Sequence, residues 1–131
     1  MSMTTSGYAA LAVGESWHYV GDGTTGLGTT FATGWSNAAS PEPALAFRLR
    51  EAGIVDVVGV LVSSGGAGSS IFTLPSDYRP NNRVPLVVMG STSTTNYAEV
   101  LQINTDGTVQ IPTVRESVYI SGSFFLNTAA P

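Results

Sequence analysis

Ile54-Val55-Asp56-Val57-Val58-Gly59-Val60-Leu61-Val62 is the stretch that decides how this chain folds. It is dense in β-branched residues and has no Pro, which marks it as a strand. Alternate residues of a strand point to opposite faces. Val55, Val57 and Leu61 therefore share one face, and Val58, Val60 and Val62 the other. An antiparallel strand normally shows one wet face. A strand apolar on both is covered on both, by a core on one side and by a neighbouring subunit on the other.

The flanking sequence extends the β pattern in both directions. On the N-terminal side, Ser40 to Gly53 admits a helix, with Ser40 as a cap and Pro41 in the first turn. The alternation of Leu45, Phe47 and Leu49 with Ala46, Arg48 and Arg50 favours a strand, turned by Glu51-Ala52-Gly53 into the next. Asp22 to Thr30 reads as a loop and Thr30 to Trp35 as a strand. On the C-terminal side, Ser63 to Ser70 is a loop of small residues, and Ile71 to Leu74 is a short strand stopped by Pro75. Val84 to Met89 follows as another strand, whose Pro85 marks an edge or a strand start. Tyr97 to Ile103 alternates into Asp106-Gly107, a strong hairpin signal, and Val109 and Ile111 form the return strand. Ser117 to Ile120 and Ser123 to Leu126 flank Gly122 as the last strands. Eight or nine short strands predict an all-β antiparallel β-sandwich, jelly-roll-like. Residues 1–16 read as an N-terminal arm or linker and 17–131 as the sandwich domain.

Composition narrows the function. The chain has 131 residues, which suits one domain. It carries five basic residues, all Arg (48, 50, 79, 83 and 115), against nine acidic ones, and no Cys. Without Cys and with a single His, disulfides, thiolate chemistry and multi-histidine metal sites are excluded; no metal and no cofactor is expected. So few cations, unclustered, exclude nucleic acid as a partner. Charged residues make up only 11% of the chain, against about 25% in ordinary soluble domains. Mean hydropathy is +0.19. Membrane insertion does not account for this, because the Ile54–Val62 run is far short of the about 20 apolar residues a spanning helix needs. No basic residue precedes the short apolar piece at the N-terminus, so no secretory signal is expected. The charge deficit points instead to surface covered by further copies of the chain.

No motif assembles a catalytic group. His18 lies between Trp17 and Tyr19 with no nucleophile or acid placed beside it by the sequence, and Gly14-Glu15-Ser16-Trp17-His18 lacks the closing Gly of a nucleophile elbow. The carboxylates a glycosidase would need fall mostly in turns (Asp22, Glu51, Asp77 and Asp106). The Gly-rich loop at 63–70 lacks the Lys and following helix of a phosphate cradle. Catalytic residues are therefore expected to be none. Sugar binding fits better: Asn96-Tyr97 behind a Ser/Thr-rich loop, and Asn82-Arg83 beside Asn81, offer amides, a guanidinium and an aromatic face. Arg48 and Arg50 are expected to pair with Glu99 or Glu116 across strands or subunits.

Gly34-Trp35-Ser36-Asn37, Ala46-Phe47-Arg48, Gly53-Ile54-Val55 through Gly59-Val60, and Ile71-Phe72-Thr73-Leu74-Pro75-Ser76-Asp77-Tyr78-Arg79-Pro80 stand in a telling order. With Asp106-Gly107-Thr108-Val109 and the closing run from Val118-Tyr119-Ile120 to Phe124-Phe125, this order resembles the C-terminal head domains of tailed-bacteriophage tail fibres and related minor tail proteins. The match spans about residues 17–126, and Leu-Pro-x-x-Tyr-Arg-Pro is its most specific piece. Asp77 stands where that family usually has Gly, a change the turn should survive because Asp tolerates left-handed backbone. The resemblance implies a homotrimeric β-sandwich on the virion surface that binds a host cell-surface glycan or protein, with Asn82, Arg83, Asn96 and Tyr97 as receptor-binding candidates. Val58, Val60 and Val62 would form the trimer interface. It transfers no catalytic residues. Family heads follow a long shaft, whereas only about 16 residues precede this domain. An alternative is therefore a trimeric capsid decoration or head-fibre protein, anchored to other virion proteins by the arm and stabilising the shell. A glycan-degrading tail enzyme is a second alternative.

Overall fold

The computed structural model describes residues 15–51 and 53–127; the arm's residues 1–14 and the domain's last four lie outside them. Among the described residues nine strands follow in chain order: β1 (His18–Tyr19), β2 (Trp35–Asn37), β3 (Ala46–Leu49), β4 (Ile54–Ser63), β5 (Ser70–Thr73), β6 (Val84–Ser91), β7 (Asn96–Ile103), β8 (Thr108–Gln110) and β9 (Ser117–Phe125). Every pairing is antiparallel, in the order β1-β3-β4-β9-β6-β7-β8-β5, with β2 also on β4. The sheet curls into a half-barrel, consistent with the all-β sandwich-like fold expected.

β4 is central because both its edges are occupied. β9 pairs with it from Ile54↔Phe125 to Val62↔Ser117. The opposite edge is shared, β3 taking Val55 to Val58 and β2 taking Leu61 to Ser63. Next to β9, β6 pairs only through Met89, Gly90 and Ser91. The sheet folds over at that corner. Coil then ties its two ends together: Val20 donates to the Leu45 carbonyl, Gly21 to Thr29 and Ala32 to Ile71. The enclosed core takes Val55, Val57 and Leu61 from β4, all fully buried, together with Val118, Ile120 and Phe124 of β9 and Leu101 and Ile103 of β7. Phe47 is the aromatic hub, stacked on Phe72 and edge-on to Tyr78.

The other face of β4 is only partly covered within one chain. Val60 is buried, whereas Val58 and Val62 are half-buried. Three expectations need correction. Thr30 to Trp35 is not a strand; a turn at Thr33-Gly34, closed by the Trp35 N–H on the Ala32 carbonyl, delays pairing until Trp35. The segments on either side of Gly122 are one strand, because β4 pairs straight through that glycine. Asp77 lies in a 3-10 turn, Ser76–Tyr78, and needs no left-handed backbone; among the described residues only Leu27 has positive φ without being glycine.

Gly59 is where the strand has no room for a side chain. Its φ is +155°, and a Cβ there would fall 2.5 Å from the Leu45 Cα. Nothing lies within 4 Å of the corresponding position at Gly66. Gly59→Ala should therefore cost about 1–3 kcal/mol through overpacking, while Gly66→Ala should stay within about 0.5 kcal/mol of the parent. Chemical denaturation of the two variants side by side checks this, and equal midpoints would contradict it.

Candidate functional site

The residues proposed from the sequence fall into two groups at opposite ends of the β6–β7 hairpin. Asn82 and Arg83 occupy the exposed turn just before β6. Asn96 and Tyr97 begin β7, opposite Ser91 and Gly90 at the far end of β6. An eight-residue strand extends about 25 Å, so the structure does not bring the two groups into one site.

The Tyr97 end is already engaged. The Arg115 guanidinium lies 3.7 Å over the Tyr97 ring, and its Nε donates to Glu99 Oε2 at 2.6 Å. Such a stack and a short charge-assisted hydrogen bond hold one face of the ring in place. The pair also corrects the expectation for Glu99, whose partner is Arg115 and not Arg48 or Arg50.

Arg48 and Arg50 instead converge on Asp56, the one charge inside the apolar strand. Arg48 stands directly opposite Asp56 in the β3–β4 register. Its Nε donates to Oδ2 at 3.1 Å, Arg50 Nε donates to both carboxylate oxygens at 3.0 Å, and Ser123 adds a hydroxyl at 2.6 Å. Burial pushes the Asp56 carboxyl up, but these hydrogen bonds outweigh it and hold the group below the usual aspartate range. Trp17 stacks on Arg48 at 4.3 Å. Arg79 donates to the Leu74 carbonyl. Among the described residues, Arg83 is thus the one arginine whose side chain makes no hydrogen bond, ion pair or ring contact, and it is exposed.

The Leu74–Pro80 motif holds the fold together. Leu74 donates to the Gly107 carbonyl at the tip of the β7–β8 hairpin, and a Cβ on Gly107 (φ +90°) would strike Arg79 Nε at 2.5 Å. That contact explains why the hairpin carries Asp-Gly. The buried Tyr78 hydroxyl donates to Glu15 Oε1 at 2.6 Å. His18 Nε2 stands 3.1 Å from both of those groups. Its Nδ1 donates to the Thr25 carbonyl at 2.8 Å. The sequence placed no partner beside His18; the fold supplies two, and Glu15, assigned to the arm, is bound into the domain. Its backbone N–H also donates to the Leu49 carbonyl. Elsewhere, Asp22 and Asp106 accept the N–H of Thr24 and Thr108 within their own turns. Among the described residues no three of His, Asp or Glu gather as metal ligands would.

On the outer surface, Val87, Met89, Ala98 and Tyr119, with the candidates Asn96 and Tyr97, surround an open, mainly apolar depression of about 470 Å³. Asn96 and Tyr97 were singled out from the sequence; no sequence signal distinguished the other positions, because each is an ordinary alternating strand residue. Comparisons with protein-family models, curated proteins and solved structures found no match.

Glu15 gives the molecule an acid-sensitive clasp. Burial pushes its carboxyl up, but hydrogen bonds from Tyr78 and the Leu49 N–H and the nearby His18 bring it below the ordinary glutamate value of 4.5. The folded state therefore takes up the proton less readily than the unfolded chain. The stabilisation is present in full above about pH 4.5 and is lost as pH falls through the lower folded value. Glu15→Ala should cost about 1–3 kcal/mol at neutral pH and flatten the decline of stability below about pH 4.5. Parallel declines in the two proteins would count against the clasp.

Proposed function

We propose that the chain is a structural protein of a tailed-phage particle, a homotrimeric tail-fibre-type head that contacts the host surface through the turn at Asn82 and Arg83. The observation that carries the reading is the placement of the Leu-Pro-x-x-Tyr-Arg-Pro motif. These residues join β5, the β7–β8 hairpin and the β1 region inside an all-β half-barrel, which is how a shared motif would preserve a shared fold. Because the motif is spent on the fold, recognition falls to surface turns. Of the two candidate groups, Asn82-Arg83 is preferred, since Arg83 is exposed with no side-chain partner among the described residues, while Tyr97 is already stacked under Arg115. An exposed guanidinium suits a carboxylate- or hydroxyl-bearing glycan.

Purified protein should compete with the parent particle for adsorption to host cells. Arg83→Ala should raise the concentration needed about tenfold or more, the equivalent of losing one charge-assisted hydrogen bond, with unchanged melting temperature. Tyr97→Ala should have the smaller effect. Full competition by Arg83→Ala would remove the turn from the reading. Labelled antibody over the whole capsid, and not at the tail tip, would replace receptor binding with shell decoration.

A further inference from the structure

The pairing registers align the outward side chains of four strands into rows. Val60 stands opposite Tyr119 in the β4–β9 register, Tyr119 opposite Met89 in β9–β6, and Met89 opposite Ala98 in β6–β7. Val87 faces Val100 in the neighbouring outward row. From Val58 to Val62 on β4, Ser117 to Ser121 on β9, and along all the outward positions of β6 and β7, no side chain is charged. The charges on this side of the sheet, Asp56 and its two arginines, gather at the other end of β4. Several members of the uncharged area are exposed as well as apolar: Val87 is 76% exposed, and Met89, Val100 and Tyr119 are about 40% exposed.

We infer that this outer face of β6, β7 and β9, continuous with Val58 and Val62 of β4, is the contact surface between copies of the chain. The inference rests on the self-assembly proposed above and moves its centre from β4, whose Val60 is already buried within the single chain, to Val87, Met89 and Tyr119. Electrostatics selects the occupant. A basic, acidic or nucleic-acid partner would find no charge to meet here, whereas a second copy brings an equally uncharged β face, and two such faces pack as the layers of a sandwich do. A chain in which only 14 residues are acidic or basic has the same deficit overall. The Asp56 cluster at the end of the face stays outside the contact, so its charges are not desolvated further.

Analytical ultracentrifugation of the full chain at micromolar concentration should show an oligomer. Val87→Glu should reduce the mass to that of one chain, 13.6 kDa, with unchanged circular dichroism and a cooperative melt that no longer depends on protein concentration. Val100→Glu provides the same test at a second exposed position. Leu27→Glu, an exposed apolar residue away from these rows, should leave the oligomer intact. A monomeric parent chain would overturn this inference and the self-assembly on which it rests. An oligomer that survives both Val87→Glu and Val100→Glu, or that Leu27→Glu dissociates, would overturn the face alone and leave self-assembly standing. Binding of the parent monomer to liposomes or to another virion protein through Val87 would assign the face to that partner and also overturn the inference.

Discussion

A strand that is apolar on both faces still carries a polar N–H and C=O at every residue, and such a strand can be buried only if both of its edges are paired. β4 meets that condition with β9 along one edge and with β3 and β2 in succession along the other. The rest of the architecture depends on it. β9 is long because it pairs with β4 from Ile54 to Val62, and β6, which pairs with β9 and not with β4, leaves β9 after three residue pairs. That departure creates the corner at which the sheet turns over and encloses its core. Gly59, pressed against Leu45, lets the inner side of the strand lie close enough to its neighbours to exclude water.

Charge is rationed along the same strand. Asp56 is nearly buried, yet two guanidiniums and a serine hydroxyl satisfy it, so its burial leaves no orphaned charge. Glu99 is treated alike by Arg115 at the other end of the molecule. Spending four of the five arginines on internal ties leaves the outer surface of β6, β7 and β9 without charge, and an uncharged β face in water is stable in company. The composition and the proposed assembly are in this way two views of one allocation of polar groups.

The most distinctive motif turned out to be mechanical. Tyr78 and Arg79 act through a hydroxyl on Glu15 and a guanidinium on the Leu74 carbonyl. The first ties the end of β5 to distant chain and the second closes the motif on itself, so resemblance through this motif speaks first to fold. His18 lies in the same network between Thr25, Glu15 and Tyr78, and its ring packs on Phe47. An isolated histidine between two aromatics becomes intelligible once those neighbours are known.

Much of this was legible from the residues alone. Period-two alternation, Pro and Gly punctuation and Asp106-Gly107 determine the all-β class and most strand positions, because they act over a few residues of backbone. Even the Arg48–Asp56 pair could have been read, since a tight turn at Glu51 to Gly53 sets those residues opposite each other. Sequence by itself also determined that the chain is short of charge. What only the tertiary structure decided are the contacts across long separations: Glu15 with Tyr78, Arg115 with Glu99 and Tyr97, and the alignment of Val60, Tyr119, Met89 and Ala98 in one row. Local patterns place a side chain on one or other side of its own strand, but which strands lie together, and in what register, is set by the closing of the whole sheet around its core.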